Sequence, residues 1–343
     1  MPTTQSFEPK ETDVKADAEA EQGRSFKKVG LHIVTNYGIV LAAVLLFVVL
    51  AFASPAFATK LNFSILLEQW ASVGIMAAGM TLILICGGFD LSAGAAFAFC
   101  GVIAVIVANA TSVPVGLLAG VLTGVVIGIV NGTLVTALRI NPFIATLSTG
   151  IIITGLIQGV TGGEIKIPND SSFANIGQGE IWGFGYPVFF LLGIIIVYGF
   201  VLHRTVLGRQ IFAVGGNPEA ARLAGIRVSL VRLVCYVLIG AAAGLAGTIQ
   251  AAHVASADPG AGGLNQLFDV FAVVIVGGTS LVGGMGAMWR TVVGIAILAM
   301  IGNGFVLLNV SSTNQQVFFG LIILVAVAID SWTKSGRGAG SGA

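Results

Sequence analysis

Charged side chains are scarce in this chain. Asp, Glu, Lys and Arg make up 9% of its 343 residues, whereas 56% of the residues are hydrophobic. A soluble globular domain carries roughly 25% charged residues, so the composition indicates a membrane protein. The formal net charge is only +1. Such a balance creates no strong basic field around the molecule, and nucleic acid is therefore not expected as a partner.

Cysteine is also rare. Cys86, Cys100 and Cys235 each lie in or at the edge of an apolar run. No CxxC or Cys/His spacing accompanies them, so we expect neither a disulfide framework nor a metal site. Each cysteine is interpreted as a small buried hydrophobic residue.

The sequence contains no motif for ATP hydrolysis. A phosphate-binding loop needs G-x-x-x-x-G-K-[ST], and no lysine in this chain follows a glycine. We expect no bound cofactor and no enzymatic activity. Glu68, Asp269 and Asp330 lie near the ends of apolar runs, whereas an ion-coupled carrier often has an acidic residue at mid-span. Uphill transport would therefore draw its energy from a partner.

Long apolar runs dominate what is present. A helix crosses the bilayer with about 20 mostly apolar residues, and ten runs fit that length. They are residues 37–58, 63–86, 91–109, 113–137, 142–161, 186–203, 229–252, 266–283, 291–308 and 314–332. The sequence thus predicts an all-α polytopic membrane protein with about ten transmembrane helices.

The basic residues predict the orientation of these spans. With ten spans and both termini in the cytoplasm, fourteen of the sixteen Lys and Arg residues fall on the inner side, as the positive-inside rule expects. Only Lys60 and Lys166 fall outside. We predict a disordered cytoplasmic tail at 1–35, a transmembrane domain at 36–333 and a flexible cytoplasmic tail at 334–343.

A glycine recurs at every fourth position within one run. The sequence GLLAGVLTGVVIGIVNG carries Gly116, Gly120, Gly124, Gly128 and Gly132. Because close backbone approach across small residues drives helix association in lipid, this stripe predicts tight packing. A wall that slides during gating is the alternative. A second cluster, Gly240, Gly244 and Gly247, suggests a similar contact.

Two glycine segments share the frame G-G-x-x-L-x-x-G. They are GGFDLSAG, at 87–94, and GGTSLVGG, at 277–284. Each is predicted to end one helix and precede the next, with Asp90 capping the second helix and Ser92 in its first turn. A capped turn is one interpretation; a helix break facing the transport pathway is the other. The candidates for such a pathway are Gly87, Gly88, Asp90, Ser92, Gly277, Gly278, Asn131 and Asn303.

A polar insert at 204–228 falls on the cytoplasmic side. Within it, Asn217 is a good N-cap, Pro218 fits the first helical position, and Glu219 suits the positive end of the helix dipole. Gly225 can end the helix in a left-handed conformation. A two-turn helix is marginal alone in water. It would dock into a soluble protein or lie on its own bundle, and the residues leave both possibilities open.

Four segments resemble those of a known family. GGNPEAARLAGI, residues 215–226, is similar to the EAA-type coupling segment of ATP-binding-cassette (ABC) importer permeases. GGFDLSAGAAFAFCG, RINPFIATLSTG and FAVVIVGGTSLVGGMGAMWRTVVG are similar to segments of the ribose-type, monosaccharide-transporting branch. The resemblance runs in order from about residue 62 to 330 and leaves out both terminal tails.

The resemblance implies a subunit of the bacterial inner membrane with three kinds of protein partner. These are a second permease copy, a separate ABC ATPase that binds ATP-Mg, and an extracytoplasmic sugar-binding protein; membrane lipid surrounds the subunit. The implied coupling residues are Gly216, Asn217, Glu219, Ala220, Ala221 and Gly225.

The working hypothesis is alternating access to a monosaccharide such as ribose, xylose or galactose. Relatives that accept inositol, nucleosides or a furanosyl signal keep other small polar solutes open. An ion-coupled carrier and a non-transporting scaffold are the alternatives from other classes. Polar side chains that could serve a sugar path, or simply bond helices together, are Asn131, Asn141, Gln158, Asn303 and Asn309.

Overall fold

The computed structural model describes residues 37–311 and part of 314–328. The tails predicted at 1–35 and 334–343 lie outside the described residues, as does part of the span predicted at 314–332. The chain divides into two compact units, Met1–Leu45 and Leu46–Ala343. Of the first unit, only the start of one helix is described.

The described chain is almost entirely helical, as predicted for an all-α protein. The helices are α1 Tyr37–Ala53, α2 Lys60–Ile85, α3 Ala93–Ala110, α4 Val113–Thr136, α5 Pro142–Thr161, α6 Ser172–Gln178, α7 Tyr186–Arg204, α8 Val206–Gly216, α9 Pro218–Leu223, α10 Val228–His253, α11 Leu264–Val276 and α12 Met288–Leu307. A small antiparallel hairpin, β1 Glu180–Ile181 and β2 Phe184–Gly185, pairs Glu180 with Gly185.

Seven of the described helices are long and apolar enough to cross a membrane: α2, α3, α4, α5, α7, α10 and α12. Two others, α1 and α11, are apolar but shorter. The predicted count of about ten is therefore not reached within the described residues. The predicted boundaries agree with the seven long helices to within three residues.

The span predicted at 266–283 overran its helix. The observed α11 has 13 residues and is about 20 Å long at 1.5 Å per residue, short of the roughly 30 Å hydrocarbon layer. The helix ends where Gly278 takes a left-handed φ of +81°. Leu281 and Val282 extend the apolar composition beyond this break, which is why composition alone placed the end too late.

The helix connections gather alternately at two ends of the bundle. At one end, Gly284 N–H donates to the carbonyl oxygen of Ile85 at 2.8 Å. At the other, Asn109 Nδ2 donates to Ile167 O at 2.9 Å, and Lys166 N–H donates to Ala257 O at 3.0 Å. The alternation predicted from the basic residues thus holds from α2 to α12.

The interior is built by α2, α3, α4 and α10. Helix α2 is buried without interruption from Ala71 to Ile85, because α7, α10, α11 and α12 surround it. Helix α4 instead buries mainly its glycine stripe. A Cβ on Gly116 would meet the backbone of α3. One on Gly120 would lie between α3 and the Thr248 side chain of α10, and one on Gly124 would meet the carbonyl oxygen of Gly240 in α10.

Along α4, the glycine stripe therefore faces first α3 and then α10. Further along, Gly128 lies against the backbone of α10 at Tyr236, and Gly132 lies against the Leu233 side chain. The second cluster completes the contact, since Gly240 and Gly244 face α4 and Gly247 faces α3. Close backbone approach on both sides is the geometry that small residues permit in lipid.

Candidate functional site

The polar insert at 204–228 folds as two short helices at the end of the bundle that carries the predicted inner loops. Asn217 caps α9, its Oδ1 accepting from Glu219 N–H at 3.1 Å and Ala220 N–H at 3.0 Å. Pro218 occupies the first helical position. Gly225 has a φ of +84°, and Ile226 N–H donates a hydrogen bond to Ala221 O. The predicted N-cap and left-handed end are both confirmed.

One element of this insert is absent from the sequence prediction. Residues Val206–Gly216 form α8, which Thr205 caps by accepting from Gly208 N–H at 3.2 Å. Ile211 and Val214 are buried on the bundle. A Thr cap before an amphipathic turn was the available signal, but three glycines in eleven residues obscured it.

The coupling candidates of α9 divide into one buried residue and several exposed ones. Ala221 packs inward. The exposed candidates are Gly216, Asn217, Glu219, Ala220 and Gly225. Glu219 Oε1 accepts from Arg222 Nη2 at 2.6 Å in an exposed ion pair. Helix α9 therefore rests on the bundle through Ala221 and presents its other face to solvent.

Three glycine segments meet directly behind this insert, at what we call the glycine junction: Gly87, Gly215, Gly283 and Gly284. A Cβ on Gly215 would collide with the carbonyl oxygen of Ile85 and with Gly284 N, and one on Gly283 would meet Gly215 O and the backbone of Gly87. The contact is backbone to backbone. It joins the end of α8 to both segments that share the G-G-x-x-L-x-x-G frame.

The first of these segments is held by buried polar side chains. Asp90 Oδ1 accepts from Ser92 N–H at 2.9 Å and from Ser92 Oγ at 2.6 Å. Asn131 Nδ2 then donates to Ser92 Oγ at 2.7 Å. All three side chains are buried. Burial raises the pKa of the Asp90 carboxyl in this connection, and the hydrogen bonds from Ser92 oppose the rise.

Neighbouring helices hold the same segment from two more sides. Tyr236 Oη donates to Phe89 O at 2.9 Å, and Leu91 N–H donates to Thr146 Oγ1 at 3.0 Å. Tyr236 and Thr146 were not predicted as site residues. They lie within apolar helices far along the chain, and no local pattern linked them to residues 87–92.

The predicted cap of α3 differs in register. Ser92 itself is the N-cap residue rather than a first-turn residue, and Asp90 bonds to Ser92 instead of to the helix. The Asp90 carboxylate therefore holds the backbone that directly precedes α3 and does not cap the helix itself. Asn131 Oδ1 is buried with no hydrogen-bond partner in the described part of the chain.

The remaining candidates lie elsewhere. Asn303 is at the opposite end of the bundle, where its amide pairs reciprocally with Asn62 at 2.8 and 2.9 Å. Gly277 packs against the backbone of Arg290 in α12. Asn141 caps α5 through Phe143 N–H. Gln158 and Asn309 are exposed. The structure thus brings Gly87, Gly88, Asp90, Ser92 and Asn131 into one neighbourhood and leaves the other candidates outside it.

A bundle of long apolar helices, with two broken connections joined to a polar insert, has the architecture of a multi-pass membrane permease. Comparison with known proteins gives the family. The family model described as "Branched-chain amino acid transport system / permease component" matches residues 62–327. The chain belongs to this family, and it is a multi-pass protein of the inner membrane.

Several relatives are similar over most of their length. The ribose import permease protein RbsC of Bacillus subtilis is 37% identical over 301 residues, 87% of this chain and 93% of the relative. The L-arabinose transport system permease protein AraH of Escherichia coli is 37% identical over 303 residues, 88% of this chain and 92% of the relative. These matches confirm the resemblance to ribose-type ABC importer permeases. No solved structure matches the chain.

Proposed function

We propose that this chain is the permease subunit of a binding-protein-dependent ABC importer that carries a monosaccharide across the inner membrane. The names of the relatives, which specify ribose and L-arabinose, support a sugar as the solute. A separate ATPase supplies the energy, and an extracytoplasmic binding protein delivers the sugar. A second copy of the chain completes the translocation unit. Inositol, a nucleoside or a furanosyl signal is the alternative solute class.

The glycine junction is the observation that carries this mechanism. An ATPase that pushes on the exposed face of α9 acts on a helix whose N-cap, Asn217, lies two residues from Gly215. Gly215 contacts the connections after α2 and before α12 through backbone atoms alone. Such contacts are stiff, because packed backbone does not rearrange as a long side chain does. Movement of α9 is therefore passed to both broken connections.

The buried polar cluster gives the moving segment a defined shape. Asp90, Ser92 and Asn131 hold residues 89–92, which follow the last backbone hydrogen bonds of α2 at Gly87 and Gly88. Irregular backbone at the end of a span is tolerated where protein or water satisfies it. We propose that this connection borders the solute path and that it shifts with the junction during alternating access.

Uptake by proteoliposomes tests the function. The chain is reconstituted with its ATPase partner, ATP is enclosed with the ATPase domains, and the binding protein is added on the other side with labelled D-ribose or L-arabinose. We expect sugar accumulation that requires ATP. Uptake driven by a proton or sodium gradient without the ATPase would contradict the proposal and favour a secondary carrier.

A charge reversal on α9 tests the coupling assignment. Glu219→Lys removes an acid from the positive end of the helix and places a cation beside Arg222. We expect retention of the ATPase on the purified permease to fall about tenfold, because like charges at an interface are costly. Glu180→Lys, the same change in the hairpin at the other end of the bundle, is the control. Equal retention by both variants would remove α9 from the ATPase contact.

A further inference from the structure

A basic cleft lies beside α9 on the same end of the bundle. Its volume is about 430 Å³, and its walls come from the connection between α4 and α5, from α9, and from the first turn of α10. Three arginines line it, one from each wall: Arg139, Arg222 and Arg232. One wall belongs to the proposed coupling helix α9, but the coupling mechanism assigns no role to Arg139 or Arg232 in the other two walls.

The charge of this basic cleft is only partly balanced. Glu219 is the single acidic residue in its wall, and it already pairs with Arg222 at 2.6 Å. Neither Arg139 nor Arg232 forms an ion pair with any described residue. Arg232 Nε is, moreover, sealed from solvent with no hydrogen-bond partner in the described ranges. An anion in the cleft would balance the uncompensated charge of Arg139 and Arg232.

The position of the cleft matches the headgroup layer of the membrane. Helix α4 has 24 residues and α10 has 26, which makes them about 36 and 39 Å long. Both exceed the roughly 30 Å hydrocarbon layer. The excess length, together with the arginines at the cleft, favours a position of these ends among headgroups, where basic clefts between spanning helices attract anionic lipids.

Apolar side chains continue from the mouth of the cleft. Leu138 and Phe143, which are 63% and 55% exposed, flank the connection that carries Arg139. From Phe143 the exposed apolar face continues along α5 through Ile144, Leu147 and Ile151. A charged recess next to an apolar strip suits an amphiphile, with its anionic group in the recess and its acyl chains along α5. A soluble anion would use only the recess.

We propose that this cleft binds the phosphate group of an anionic phospholipid, with Arg139 and Arg232 as its ligands. Arg139 is exposed at the mouth, where it meets the headgroup first. Arg232 is half-buried in the wall of the cleft and offers its guanidinium charge there. Arg222 remains bound to Glu219 and contributes less. This inference depends on the membrane location of the chain and not on the identity of the sugar or on the ATPase.

Lipid binding to the purified full chain tests the proposal. The chain is delipidated in detergent and mixed with phosphatidylglycerol, with phosphatidylcholine or with inorganic phosphate, and bound lipid is counted by native mass spectrometry. We expect preferential retention of phosphatidylglycerol. Arg139→Gln/Arg232→Gln should weaken that retention about tenfold. The matched control, Arg204→Gln/Arg209→Gln, removes two arginines of the same end that lie outside the cleft, and should bind as the parent does.

Each other outcome would overturn the assignment. Equal retention of phosphatidylglycerol and phosphatidylcholine, or equal losses in both double variants, would mean that the cleft does not select an anionic phospholipid. Complete displacement of lipid by inorganic phosphate would indicate a free-anion site. Normal lipid retention with weakened ATPase binding would assign the cleft to an acidic segment of the ATPase. Arg139→Gln alone, at an exposed position, provides the test if the double variant fails to fold.

Discussion

At the scale of single residues, the buried polar side chains of this protein are mostly used to hold helices together. Asn303 illustrates this point. Its sequence context left open whether it lines a sugar path or bonds two helices, and the structure pairs it with Asn62 through two amide hydrogen bonds. Asn62 Nδ2 also donates to Phe57 O at 2.9 Å. With both amides occupied by protein, Asn303 has little hydrogen-bonding capacity left for a solute.

The pairing predicts non-additive losses of stability. Asn62→Ala or Asn303→Ala should each lower the free energy of unfolding, because each removes both amide hydrogen bonds of the pair and leaves the other side chain buried without those partners. The double variant should cost less than the sum of the two by about 1 kcal/mol. Thermal unfolding of the four proteins in one detergent measures this coupling. Additive losses would show that the two side chains act independently and would reopen a role for Asn303 in the path.

What could be predicted for individual residues depended on how local their contacts are. Asn217, Pro218 and Gly225 act on backbone groups within four residues, so their capping roles followed from spacing alone. Asp90 was recognised as a capping residue but misplaced in register, because its bonds to Ser92 compete with the helix. The contacts of Asn131, Tyr236 and Thr146 with this segment span at least 39 residues of sequence, and no local rule identifies such partners.

At the scale of elements, the glycine stripe of α4 replaces side-chain interdigitation with backbone contact. Gly124 and Gly240 face each other, and a Cβ on either would meet the carbonyl oxygen of the other. The four-residue spacing predicted a close approach, although it did not identify α3 and α10 as the two neighbours. Static packing and sliding share this geometry, and the substitution below measures the packing.

A single methyl group tests the stripe. Gly124→Ala should destabilise the protein by about 1–3 kcal/mol, because the backbone on both sides must separate. Gly193→Ala is the matched control: Gly193 lies within α7, and nothing is within 4 Å of a Cβ there. It should be neutral or stabilising by up to about 1 kcal/mol, since alanine favours helix. Equal effects of the two substitutions on the unfolding temperature would show that close contact at Gly124 contributes nothing.

The ends of helices were predicted well only where the residue composition changes at the end of the helix. Helix α5 begins at Pro142 after the Asn141 cap and ends at Gly162, whose φ is +67°, and both signals are visible in the sequence. Helix α11 stops at the Gly277–Gly278 pair, which the repeated frame marked as a helix end, but Leu281 and Val282 made the apolar run longer than the helix. Helix α8 was missed for the opposite reason, since its glycines suggested a loop.

At the scale of the whole molecule, the connections after α2, after α8 and before α12 form one unit although they are far apart in sequence. The repeated G-G-x-x-L-x-x-G frame indicated a relation between two of them but not their contact. Gly215 lies only at the edge of the coupling segment in the sequence. In the structure, its backbone contacts both of these connections. Long-range backbone contacts of this kind leave no periodic trace in a sequence.

Motion of α9 should be transmitted to the two broken connections through Gly215. Gly215→Ala would place a methyl group against the carbonyl oxygen of Ile85 and Gly284 N, which already share a 2.8 Å hydrogen bond. We expect the variant to retain its ATPase partner, because the exposed face of α9 is unchanged, but to lose most sugar uptake per ATP hydrolysed. Gly216→Ala is the neighbouring comparison, because a Cβ at Gly216 meets nothing within 4 Å. Uptake and ATP hydrolysis measured together in proteoliposomes separate coupling from docking. If both variants lost uptake equally, the defect would belong to the coupling segment as a whole; if neither did, the junction would be a passive contact and motion of α9 would reach the membrane by another route.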